Sequence, residues 1–107
     1  MEFKEFFEEL LNQVSGLAKE SLKDFEEAAV KDGISYLNRT KAKLEKWTRM
    51  LRDGELKIED YQDLVMGQKD LAEMESLKEA GLTLVRIDKF RNALINTIID
   101  TAAKTFL

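Results

Sequence analysis

The chain has 107 residues, 44% hydrophobic and 36% charged, with a net charge of −4; it is too apolar for a disordered acidic chain and too charge-interrupted for a membrane span. It contains no cysteine and no histidine. That removes disulfides, thiol nucleophiles, thiolate metal sites, the commonest general base and the commonest transition-metal ligand. A single domain spanning residues 1–107 is expected, with enough buried surface to fold without metal or disulfide.

Charge is distributed in four alternating blocks. Residues 1–30 carry eight acids and three bases, 31–52 two acids and seven bases, 53–80 nine acids and three bases, and 81–107 two acids and four bases. Each block coincides with a stretch of helical hydrophobic rhythm, and proline is absent, so no helix interior is broken by a missing donor. Adjacent antiparallel helices of opposite sign attract, which predicts an all-α, up-and-down four-helix bundle of long helices joined by short glycine-containing turns.

In the first block Phe3, Phe7, Leu10, Val14 and Leu17 form one helical stripe. After Gly16 the stripe moves by one position to Ala18, Leu22, Phe25 and Ala29, which reads as a bend or a rotation across a new neighbour, and Lys31-Asp32-Gly33 is the expected turn. The second block has Leu37, Leu44, Trp47 and Leu51 on one side with Thr40 in the same seam, and Arg39, Lys43, Lys46 and Arg49 on the other. Asp53-Gly54 supplies a helix stop, because glycine takes the left-handed conformation without steric cost.

The third block places Tyr61, Leu64, Leu71 and Met74 on a seam with Gly67 between them, where the glycine is expected to admit a close helix approach. Ala80-Gly81 is the third turn. The last block is the most apolar. Ile87, Phe90, Leu94, Ile98 and Ala102 make one stripe, widened by Ile95, Ile99 and Phe106, so it either forms the centre of the bundle or meets another subunit.

Several patterns bear on function. Asp53 to Tyr61 resembles the second half of an EF-hand calcium loop, with Gly54 at the sharp turn and Asp60 as the last carboxylate, but the leading ligand positions hold Arg49 and Leu51, a cation and an apolar side chain. The stretch from Leu44 to Met74 is also similar to a short helical hairpin found in many bacterial proteins and often linked to oligomerisation. It departs from that hairpin at Lys57, which cannot accept a bond from the helix amides. Carboxylate pairs such as Glu55 with Glu59 and Asp70 with Glu73 lack the histidine that a di-iron or di-manganese bundle needs, and read as a solvated acidic face.

Asp88 and Asp100 stand twelve residues apart on one helix, about 18 Å along its axis, too far to act on one bond, and are expected to pair with neighbouring helices. The basic second block with Tyr36 and Trp47 invites nucleic acid or an anionic membrane surface, but flanking acidic blocks oppose phosphate and are expected to neutralise it.

No catalytic, cofactor-binding or metal-ligating residue can be named. The expectation is therefore a non-catalytic interaction or scaffolding protein, self-associating as a homo-oligomer through Leu94, Ile95, Ile98, Ile99 and Phe106 of the last helix. The alternative is a peripheral lipid-surface protein using amphipathic first and last helices, with Phe3, Phe6, Phe7, Phe106 and Leu107 at their ends. The sequence from Met1 to Glu5 lacks the basic-then-apolar layout of a secretory signal, which points to the cytoplasm.

Overall fold

The structure, a computed structural model, describes residues 2–107, and among them every regular element is helical. Helix α1 is Phe3–Ser21 and a 3-10 turn at Lys23–Phe25 leads into α2, Glu26–Arg52. Helix α3 is Ile58–Met66, followed by a 3-10 turn at Lys69–Leu71 and the short α4, Glu75–Glu79. Helix α5, Leu84–Phe106, closes the fold. The expected set of four long helices is thus corrected to three long helices and a third segment broken into α3 and α4.

Directions alternate along the chain. Val14 of α1 meets Gly33 of α2, and Lys41 lies 4.9 Å from the Phe7 ring centre, so these helices are antiparallel. Thr48 bonds Tyr61 and Asp32 bonds Ser76, so the third segment runs back along α2. Phe6 packs on Phe106 with ring centres 5.5 Å apart, and Thr101 donates to Gln13, so α5 is antiparallel to α1.

The first turn lies at residues 22–25, not at Lys31-Asp32-Gly33. The shift of apolar register after Gly16 is realised as a change of helix: the Leu22 amide closes α1 on Ala18, the Phe25 amide bonds Leu22, and α2 begins at Glu26. Gly33 falls inside α2 because α1 crosses there. A Cβ at this position would sit 2.5 Å from Cγ1 of Val14, inside any tolerable contact. The close-approach glycine of this fold is therefore Gly33, whereas Gly67 is an exposed residue at the end of α3.

Gly54 and Gly81 do end helices as expected, with φ of 78° and 92°. Each occupies the position after the cap. Glu55 and Gly54 bond back to Met50 and Leu51, and Leu82 and Gly81 bond back to Leu77 and Lys78, the paired pattern that satisfies the last carbonyls of a helix.

The interruption of the third segment has a geometric cause. Tyr61 and Val65 are fully buried, as is Leu77, with Met74 nearly so. In one continuous helix Leu77 would stand about 160° round from Tyr61 and Met74 about 220°, both facing outward. Glu75 and Glu79 would turn inward instead. Breaking the helix re-phases it, so that both apolar groups reach the core and the acids stay in water. Met74 takes the left-handed region, with φ of 55°, at the joint.

The buried threonine hydroxyls in this core are bonded. Thr40 donates to the carbonyls of Tyr36 and Leu37, at 3.1 and 3.3 Å, and Thr48 shares a 3.1 Å bond with the Tyr61 hydroxyl.

Candidate functional site

The broken segment leaves main-chain groups that no helix of its own can satisfy, and long helices reach across to bond them. Both carboxylate oxygens of Asp32, an almost buried residue in α2, accept from α4: one from the Ser76 amide at 3.1 Å, the other from the Leu77 amide at 2.8 Å. These are two of the orphan donors at a helix start, so a side chain from a different helix performs the capping that Met74 cannot. Arg91 of α5 donates to the Ala72 carbonyl at 2.9 Å, and Arg39 of α2 donates to the Leu71 carbonyl at 3.3 Å.

Beside this joint lies a polar cleft of about 180 Å³, bounded by Lys31, Asp32, Tyr36 and Arg39 on one wall and Glu73 and Glu79 on the other. Burial, reinforced by nearby Tyr61, pushes the Tyr36 hydroxyl up to about 12. Burial likewise raises Tyr61 to about 12, outweighing its bond from Thr48, which acts in the opposite direction. Both phenols hold their protons at neutral pH, and the Asp32 carboxylate is occupied on both oxygens. The cleft therefore offers charged side chains for contact.

The apolar face expected to meet another subunit lies inside the chain. Leu94 and Ile98 are completely buried, Ile95 and Ile99 nearly so, and Phe106 is half-buried against Phe6. Helices α1, α2, α3 and α4 all pack on α5, which consumes the width of its stripe. Phe6 and Phe7, two of the aromatic residues proposed for a lipid surface, are core as well. Among the described residues the large apolar side chains left in water are Met66, Leu71, Leu84, Val85 and Leu107.

The remaining sequence candidates resolve locally. Asp88 pairs with Arg91 of its own helix at 2.6 Å, where a partner on a neighbouring helix was expected. Asp100 borders a groove with Glu5 and Glu9. At the EF-hand-like turn Asp53 caps α2, Arg49 pairs with Glu45, and Leu51 is buried, so the leading half of such a loop is ordinary helix. Among the described residues no three acids converge as metal ligands.

Charge behaves differently from the expected mutual neutralisation. Four ion pairs form among the described residues, and only Arg39–Glu73, at 3.3 Å, joins two helical segments. Lys31, Lys43 and Lys46 are exposed, with no carboxylate at ion-pair distance among the described residues. The second block thus displays a stripe of cations along the outside of α2. Opposite it, α1 and α5 enclose a groove of about 370 Å³ bordered by Glu5, Glu9, Gln13, Thr101, Asp100 and Lys104.

Sequence reasoning did not find Asp32, Arg39 and Arg91 as the side chains that hold the joint. An aspartate beside a glycine reads as a turn, and nothing in the spacing marks it as the cap of a helix more than forty residues away. No helix among the described residues is long and apolar enough to cross a membrane. Comparison with protein-family models, with curated proteins and with solved structures finds no match to the chain.

Proposed function

We propose that this protein is a non-catalytic helical interaction or scaffolding protein that associates with copies of itself through its charged outer faces. The observation that supports the reading is the display of charge: blocks of opposite sign lie side by side, yet among the described residues a single ion pair joins one helical segment to another. Surface charge placed in stripes steers and orients partners more than it stabilises a fold. The reading moves the contact away from Leu94, Ile95, Ile98 and Ile99, because side chains buried in their own subunit cannot meet a second one without unfolding the first. Sedimentation velocity from tens to several hundred micromolar, at low salt, tests it. Sedimentation that rises with concentration is expected; a monomer throughout that range ends the proposal.

A second reading rests on one exposed feature. Leu84 and Val85 are 69% and 67% exposed at the start of α5, with Arg86 and Lys89 exposed beside them. An apolar pair flanked by cations fits the interface of an anionic membrane. Flotation with phosphatidylserine vesicles should then carry the protein upward, and Leu84→Ser with Val85→Ser should leave it at the bottom. No flotation of the unaltered protein removes this reading.

A further inference from the structure

The four segments form a ring in the order α1, α2, Ile58–Glu79, α5, so that two faces lie back to back: α1 with α5, and α2 with the third segment. On the first face α1 carries Glu5, Glu9 and Glu20, all exposed, while the neighbouring edge of α5 carries Arg86 and Lys104 with one acid, Asp100, between them. On the second face α2 carries Lys31, Lys43 and Lys46, with Arg39 paired to Glu73, while the third segment carries Glu75 and Glu79 besides that glutamate. Each face therefore has an excess of acids in one column and of bases in the other. The order of signs is reversed between the two faces.

From this arrangement we infer that a second copy of the chain docks its α1–α5 face on the face made by α2 and the third segment. The inference rests on the self-association proposed above and names the surfaces that carry it. Translation alone brings the copies into register. Moving a second molecule sideways by one bundle thickness sets its α1 over the first molecule's α2, and its α5 over the first molecule's third segment. Acidic then meets basic in both columns, and the helices in each pair are antiparallel, as they are within one chain.

The lengths agree as well. Glu5 to Glu20 and Lys31 to Lys46 each span fifteen residues, about 22 Å of helix. The centre of the α1 stripe is low, since Gly16 is exposed and open space surrounds the point where a Cβ would stand, and Ala42 and Ser35 keep the α2 stripe low between its cations.

The contact is heterologous: the surface used on one copy differs from the surface used on the next. It therefore propagates head to tail, where a two-fold dimer would close. A helix face of this length covers only a few hundred Å² per partner, the range of weak and transient contacts, so assembly is expected to be salt-sensitive.

Charge reversal tests it. Two variants are needed, Glu5→Lys with Glu9→Lys, and Lys43→Glu with Lys46→Glu; all four side chains are exposed, so circular dichroism should show both variants folded. Sedimentation velocity is run at about 20 mM and about 300 mM salt, conditions of weak and strong screening. The unaltered protein should form a concentration-dependent series at low salt that collapses at high salt. Each variant alone should remain monomeric, and an equimolar mixture should associate again, because each reversed surface then meets its complement.

Association of the unaltered protein that neither variant weakens would overturn the proposed surfaces while leaving self-association standing. A mixture that stays monomeric would overturn them too. An unaltered protein that is monomeric at low salt removes both. Binding of a duplex DNA probe that the Lys43 and Lys46 reversals abolish, with the protein itself monomeric, would assign the cationic stripe to phosphate and overturn the inference.

Discussion

Helix α2 and the third segment hold similar numbers of residues and run antiparallel over the same length of the molecule, yet they are stabilised in different ways. Helix α2 satisfies its own main chain through 27 residues and needs its neighbours only to cover an apolar face. The third segment bonds itself only in short pieces. Its joint depends on Asp32 and Arg39 from α2 and on Arg91 from α5. Hydrophobic phase thus outranks helix continuity here: the segment gives up main-chain bonds so that Tyr61 and Leu77 can both be buried, and borrowed side chains replace those bonds.

The most direct challenge to this contrast is Asp32→Ala. Two amides of α4 lose a charged acceptor, and the expected cost is about 2 to 3 kcal/mol, read as a lower urea midpoint. Hydrogen exchange should accelerate first at Ser76 and Leu77, before α2 itself opens. Equal acceleration throughout α2 and α4 would show that the joint has no independent stability.

Alkaline pH acts on the seam between the two regions. Tyr36 on α2 and Tyr61 on α3 both titrate near 12 in the folded chain, against an ordinary value of 10. The folded state therefore holds protons that the unfolded state has released between these values, and stability falls as pH rises through that window. Below pH 10 the contribution is fully present. Urea midpoints at pH 9 and pH 11 should differ, and Tyr61→Phe, which also removes the bond to Thr48, should reduce the difference; an unchanged difference in that variant would assign it elsewhere.

Glycines extend the contrast into the long helices. Gly33→Ala places a methyl against Val14 and should destabilise the chain by about 1 to 2 kcal/mol despite the better helix propensity of alanine. Combining it with Val14→Ala should recover part of that penalty in the double-mutant cycle. Gly16→Ala, the smallest effect, should stabilise by about 0.5 to 1 kcal/mol, because the position is helical, exposed and open. Opposite signs from the same substitution would separate a glycine held for packing from one that is not. Matching signs would deny the close crossing of α1 and α2.

Much of the fold was legible in local pattern. The stripes through Leu10 and Val14, through Leu37 and Leu44, and through Leu94 and Ile98 are all buried, because a side chain's place on a helix follows from its number. The stops at Gly54 and Gly81 were legible for a similar reason, since a positive φ marks glycine wherever a helix must reverse. Two expectations failed where local rules conflict. Lys31-Asp32-Gly33 has the composition of a turn, but α1 crosses there and keeps Gly33 inside α2. Leu64, Gly67, Leu71 and Met74 are spaced as one helix, but Tyr61 and Leu77 cannot both face inward on it. The width of the last apolar stripe could signify either core or interface, and spacing alone does not count neighbours.

The helical class, the apolar stripes and the alternating charge blocks followed from sequence, because periodicity, glycine conformation and composition act over a few residues. Tertiary structure decided which glycine serves packing, where the third segment breaks, and that Leu94, Ile95, Ile98 and Ile99 belong to one subunit's interior. It also decided that most charges face water, and that Asp32 caps a helix distant in the chain. Those outcomes depend on which surfaces compete for the same space, a relation between segments that no single stretch of residues contains.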